Sequence, residues 1–179
     1  MLTFVIKYRT LTLVKTSSTQ STVGANRQFK LIKCLGTGGF GEVYLCEMST
    51  SSGFTKTVAL KIMRADVQQT EDTAQRMRDE AKLLGMMRHR TIVGADDLIT
   101  VAGRPAVVME YVPGVNHSWI IHPRRNPAAI PPRVILGVIS SVADALDVAF
   151  YRPSTVTNEP LNVLHRDIKP ANIRVTPDG

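Results

Sequence analysis

The chain has 179 residues, 22 Lys+Arg against 15 Asp+Glu, and 44% apolar side chains. That length suits one domain burying roughly 70% of its unfolded surface, and the balanced composition excludes wholesale disorder. The net charge of +7 is no nucleic-acid signal: six basic residues, from Lys7 to Lys33, precede the first carboxylate, Glu42, and the rest of the chain is nearly neutral.

In chain order, residues 1–26 read as a flexible basic leader that ends in the Ser/Thr-rich run Thr16 to Thr22. Phe4, Ile6 and Tyr8 alternate as in a strand, but nothing nearby supplies a partner. No signal peptide is expected, since no charge precedes Leu2 to Ile6 and no small-residue cleavage site follows. Cys34 and Cys46 set no disulfide framework and suit a reducing, cytoplasmic setting. Strand patterns follow at Phe29–Leu35, Val43–Cys46 and Thr57–Met63, with a glycine cluster between the first two. Thr70 to Met87 has helical spacing, with Met77, Ala81 and Leu84 on one stripe. Two more strands, Asp97–Val101 and Ala106–Tyr111, flank the turn Ala102–Pro105.

Residues 122–132 are rich in proline and read as an irregular connection, after which Pro131-Pro132 opens a helix reaching Phe150. That helix is the best candidate for a membrane span, but Asp144 and Asp147 interrupt it, so no membrane segment is expected. Arg152 to Asn162 reads as an exposed insertion, and Ile173-Arg174-Val175 as a short strand. Thr176-Pro177-Asp178-Gly179 is a turn signal, which leads to the expectation that the strand before it lacks its hairpin partner.

Gly36-Thr37-Gly38-Gly39-Phe40-Gly41 matches G-x-G-x-x-G, a weak signal alone. A dinucleotide-binding fold needs a helix directly afterwards, whereas Glu42 to Cys46 has strand composition. A Walker loop needs Gly-Lys-Ser/Thr, which is absent from the cluster. A plain flexible hairpin and a glycine flap that covers phosphates with its backbone N–H groups both remain. In the third strand, Val58, Leu60 and Ile62 share one face, and Ala59, Lys61 and Met63 the other. A lysine inside an apolar strand needs a charge partner unless it snorkels from an edge. Glu80, lying in the apolar stripe of the helix, offers one; the alternative for Glu80 is a surface pair with Arg76.

The glycine flap, Val58-Ala59-Leu60-Lys61, Glu80 and His165-Arg166-Asp167-Ile168-Lys169-Pro170-Ala171-Asn172 occur in an order that resembles a protein kinase, from about Phe29 to Gly179. The Asp-x-Lys-Pro-x-Asn form is similar to the serine/threonine branch, and the insertion at Arg152–Asn162 to some bacterial members. The resemblance implies an α+β, two-lobed fold. Residues 27–112 would form a small lobe, a five-stranded antiparallel sheet plus one helix; residues 113–179 would begin a larger helical lobe that is incomplete here. It implies ATP and Mg2+ as cofactors and a protein with a Ser/Thr hydroxyl as substrate, with no nucleic acid.

Carried over residue by residue, Gly36, Gly38 and Gly41 with the intervening backbone of Thr37, Gly39 and Phe40 would cover the ATP phosphates, Val43 and Ala59 would roof the adenine, and Leu35 would belong to the same cofactor-binding set. Lys61, paired by Glu80, would hold the α/β-phosphates. Met109 would be the gatekeeper, and the backbone of Glu110 and Val112 the adenine hinge. Asp167 would take the proton of the attacking hydroxyl, Lys169 would neutralise the transferred phosphoryl, and Asn172 would hold magnesium. Asn116 stands where many kinases have an acidic ribose ligand. The family's Asp-Phe-Gly motif is not among the 179 residues, so the chain as given is expected to be inactive. Two alternatives are a non-catalytic interaction fragment and a small-molecule phosphotransferase of kinase-like fold; Lys169 and the full glycine flap speak against the latter.

Overall fold

The computed structural model describes residues 4–6, 27–38, 41–64, 71–122, 124, 130–153 and 158–177. Its elements are β1 (Phe4–Ile6), β2 (Arg27–Thr37), β3 (Gly41–Thr50), β4 (Thr55–Met63), α1 (Glu71–Met86), β5 (Ala95–Val101), β6 (Arg104–Glu110), β7 (Val115–Asn116), α2 (His117–Ile120), α3 (Pro132–Tyr151) and β8 (Ile173–Val175). A single 3-10 turn, Pro170–Asn172, leads into β8. The chain divides into two compact units, one carrying β2–β6 with the first part of α1, the other carrying β1, residues 82–94 and everything from Val112 onward.

The first unit is a five-stranded antiparallel sheet of order β2-β3-β4-β6-β5. Its register follows from the period of two. Tyr44 lies opposite Leu60 and Leu60 opposite Val108, so one face collects Cys46, Met48, Val58, Leu60, Ile62, Ala106 and Val108 into a buried cluster. Phe29, Tyr44, Ile99 and Val101 pack against its margin. The turn into β4 uses Gly53 at φ 81°, and the β5–β6 hairpin uses Ala102 and Gly103 at φ 49° and 75°, conformations in which glycine costs least. The surface ion pair Arg27–Asp97 (2.6 Å) ties the edge strands β2 and β5 to each other, and Lys56–Asp96 (2.8 Å) ties the central strand β4 to β5. The predicted helical stripe is present, since Met77, Ala81 and Leu84 are all buried.

In the second unit, α3 buries Val138, Val142, Ala145 and Ala149 along one stripe, the spacing of an amphipathic helix. Asp144 and Asp147 interrupt the apolar run of α3. The helix is still long and apolar enough to cross a membrane by length and composition, a test that core helices of globular domains also pass. The segment after α3 folds back onto its C-terminal turn, where Asn162 N–H donates to Phe150 O (3.0 Å) and Leu161 N–H to Arg152 O (2.9 Å).

Two further expectations are overturned in a three-stranded sheet of order β1-β8-β7. Phe4–Ile6 does have a strand partner: Phe4, Val5 and Ile6 pair with Val175, Arg174 and Ile173. For the same reason Ile173–Val175 is not a strand lacking its neighbour, because β1 lies on one edge and β7 on the other. The backbone donors and acceptors of β8 are thus met from segments distant in sequence, which no local turn signal could announce.

Candidate active site

In the five-stranded sheet the register gathers the predicted nucleotide-binding residues on the face opposite the apolar cluster. Val43 lies opposite Lys61 and Leu45 opposite Ala59; Ala59 then lies opposite Met109, and Lys61 opposite Val107. Four of the predicted residues, Val43, Ala59, Lys61 and Met109, therefore share one surface. Val43, Ala59 and Met109 are buried, and Lys61 is half-buried and has an interaction partner. Glu110 ends β6 opposite Val58, with its side chain exposed. The carboxylate of Glu80, predicted to pair with Lys61, lies outside the described residues, as do Gly39 and Phe40; the backbone of Glu80 is within α1.

The glycine segment is a tight reversal between β2 and β3. Gly38 N–H donates to Gly41 O at 2.8 Å. A Cβ on Gly41 would come 2.9 Å from the Ile62 carbonyl oxygen and 3.5 Å from Lys61 Cγ, so this glycine allows the base of the flap to lie against the lysine strand. Gly36 differs, since a Cβ there would meet nothing within 4 Å. Its requirement does not arise from the protein's own packing. Leu35 is half-buried and falls at a register shift, with Cys34 opposite Tyr44 and Gly36 opposite Val43; such a bulge re-aims the strand. Thr37 lies opposite Glu42 and is exposed. On the apolar-cluster side, Tyr44 donates its hydroxyl to Glu42 at 3.1 Å, and this bond raises the pKa of the phenol. Burial raises that of the Cys46 thiol.

The second unit holds Asp167, Lys169 and Asn172 in one short loop, with Val112 outside it. His165 is buried, and its Nδ1 accepts the Asp167 N–H at 3.2 Å. Arg166 between them has φ 58°, a left-handed turn that costs a non-glycine residue about 1–2 kcal/mol and reverses the chain beside Asp167. Lys169 Nζ lies 3.0 Å from Asp167 Oδ2. Asn172 Nδ2 donates to Asp167 O at 2.8 Å and to Asp167 Oδ2 at 3.1 Å. Asp167, Lys169 and Asn172 thus form a connected group, within which the Asp167 carboxylate is 23% exposed.

That donor set fits a divalent cation in part. With its amide nitrogen committed to Asp167, Asn172 has its carbonyl oxygen left for a hard cation, and oxygen is the donor such ions require. Val112 is buried, and its carbonyl accepts from Arg174 Nε at 2.6 Å. Sequence reasoning missed this arginine, although a charge inside the apolar triplet Ile173-Arg174-Val175 is the same kind of signal that singled out Lys61.

Comparison with known proteins agrees with this geometry. The family model described as "Protein kinase domain" matches residues 29–179. The chain is 33% identical to the serine/threonine-protein kinase PknF of Mycobacterium tuberculosis, over 84% of this chain and 29% of that protein. It is 31% identical to the tyrosine-protein kinase MasK of Myxococcus xanthus, over 84% and 23% respectively. Among solved structures, the PknI kinase domain of Mycobacterium tuberculosis is similar, with a TM-score of 0.64 and 27% identity, covering 90% of this chain and 59% of that one. The chain thus spans less than a third of these curated relatives. With the family model matching nearly all of the chain beyond the leader, and with flap, lysine strand and Asp-Lys-Asn loop in place, the chain belongs to the protein kinase family.

Proposed function

We propose that this chain is the nucleotide-binding and catalytic-loop portion of a bacterial-type serine/threonine kinase that transfers the γ-phosphate of ATP to a protein hydroxyl. The observation that carries the proposal is the Asp167–Lys169–Asn172 group. Membership of the family brings ATP and a divalent metal, for which we propose Mg2+; the metal would supply neutralisation of phosphate charge during transfer.

The chain's own residues have distinct tasks in this reading. Asp167, partly shielded and held by the Asn172 amide, accepts the proton of the attacking hydroxyl. Lys169, 3.0 Å from that carboxylate, lends positive charge to the phosphoryl group in transit. The Asn172 carbonyl oxygen is a neutral cation ligand. The flap Gly36–Gly41 offers backbone N–H groups to the phosphates, with Gly36 kept free of a side chain for the ligand's sake. Lys61 takes the α/β-phosphates, while Val43 and Ala59 flank the adenine. Met109, Glu110 and Val112 contribute the gatekeeper and the hinge backbone. The lysine two positions after Asp167 supports Ser/Thr over Tyr as acceptor.

The test is phosphoamino-acid analysis of the full gene product after incubation with ATP and Mg2+, with Asp167→Asn alongside. Phosphoserine or phosphothreonine is expected, with turnover in the variant lower by about 10²–10⁴ and nucleotide affinity within a few-fold. Phosphotyrosine alone, or undiminished turnover in the variant, would reject this assignment.

A further inference from the structure

Arg174 makes an unusual set of contacts for a residue in the middle of a short strand. Its Nε donates to Val112 O and its Nη2 to Gly114 O, each at 2.6 Å, and Nη1 reaches Asn116 Oδ1 at 3.5 Å. The guanidinium thus grips alternate positions of one turn, two through backbone carbonyls and one through the Asn116 side chain, a use of the planar fork that an ammonium cannot reproduce. A second observation is independent of this side chain. Gly114 has φ 118°, and a Cβ there would overlap the Val175 carbonyl oxygen and come 2.9 Å from its carbon. The turn at Val112–Asn116 is therefore seated directly on β8, and Asn116 and Val115 pair with Arg174 and Val175.

The strand that holds this turn is also the one that follows the catalytic loop. Asn172 closes the 3-10 turn, Ile173 is buried, and Arg174 is the next residue. We propose that Arg174 is a positioning residue for the nucleotide base: it fixes the Val112 backbone at a set offset from Asn172, so that base recognition and metal binding keep one geometry. The inference rests on the nucleotide-binding reading above. Arg174 acts through Val112 and Gly114 and handles no phosphate itself, so its loss affects ligands that carry a base and spares those that do not.

Titration calorimetry of the 179-residue chain separates the possibilities, with ADP and inorganic tripolyphosphate as probes in the presence of Mg2+. Replacing a charge-assisted grip on two carbonyls by an apolar side chain, Arg174→Leu, is expected to weaken ADP about 10-fold. Tripolyphosphate affinity should stay within about 2-fold, since its site does not involve the turn. Arg174→Gln, whose carboxamide still donates to one carbonyl, should fall between wild type and Arg174→Leu for ADP, and it serves if the leucine variant does not fold. Equal weakening of both ligands, or unchanged ADP affinity, would overturn the positioning role. A wild-type chain that binds neither probe would instead remove the nucleotide-binding reading, and this inference with it.

Discussion

Gly114→Ala should strongly destabilise the second unit. The glycine holds φ 118°, a region that costs a residue with a side chain about 1–3 kcal/mol. The added carbon would also collide with backbone on the facing strand, at the Val175 carbonyl and 3.0 Å from Thr176 Cα, and backbone cannot swing aside as a side chain can. Relief requires the turn to lift from β8, which weakens the Arg174 bonds to Val112 and Gly114, each worth about 1.5–3 kcal/mol as charge-assisted bonds. Against this, alanine restricts the unfolded chain and returns about 0.4–1 kcal/mol. The net loss comes to about 3 kcal/mol, a large part of the ~5–15 kcal/mol that typically holds a domain together. Two glycines serve as controls. Gly103→Ala has φ 75° but meets nothing within 4 Å, so only the backbone cost of about 1 kcal/mol remains. Gly36→Ala meets nothing within 4 Å and has no positive φ, so its effect on stability should stay within about 0.5 kcal/mol. The chain's single tryptophan, Trp119 in α2, follows β7 closely and reports urea unfolding of this unit by fluorescence. If Gly114→Ala unfolds this unit at the same urea concentration as wild type, the seating of the turn on β8 is wrong.

Other outcomes can be measured on the same material. Leu60 is fully buried in the apolar cluster, so Leu60→Ala should cost about 2–5 kcal/mol by far-ultraviolet dichroism, whereas Leu31→Ala, at a side chain 51% exposed, should cost almost nothing; equal costs would contradict the assignment of faces. His117 is a pH probe: burial lowers its pKa below the ordinary 6.5, and its Nδ1 is buried with no hydrogen-bond partner. The unfolded chain therefore takes up that proton more readily, so the contribution of His117 is complete above about pH 6.5 and declines as the pH falls through that value. Urea midpoints at pH 7.5 and 5.5 should differ less in His117→Phe than in wild type, and an unaltered difference would exclude His117 as the cause.

Much of the first unit was legible because a strand's period of two is local. Val58 to Met63 alone separated the apolar face from the face bearing Ala59 and Lys61, and the sheet keeps that separation. The alignment of Val43, Ala59 and Met109 across three strands depends on register, which the residues do not spell out; only the resemblance to a family brought them together beforehand. The second unit was harder for two physical reasons. Phe4–Ile6 finds its partner at the other end of the sequence, and nothing in a three-residue alternation encodes a distant neighbour. Arg174 was visible as a charge among apolar residues, but its acceptors are the carbonyls of Val112 and Gly114. Every residue has a carbonyl, so the partners carry no mark in the sequence.

The strand order β2-β3-β4-β6-β5 has a consequence for how the chain is made. β6 lies between β4 and β5 but is synthesised after α1, with about forty residues separating Met63 from Arg104. At ~5–20 residues per second, that gap corresponds to about 2–8 s on the ribosome. Throughout that interval β2, β3 and β4 form a three-stranded meander whose last strand has an open edge, with Val58, Leu60 and Ile62 lacking the cover of Ala106 and Val108. An unpaired apolar edge is a template for any other extended chain nearby. Until Arg104–Glu110 emerges, that edge is the feature a holdase chaperone is expected to recognise, so slowing translation between Met63 and Arg104 should lengthen any such association.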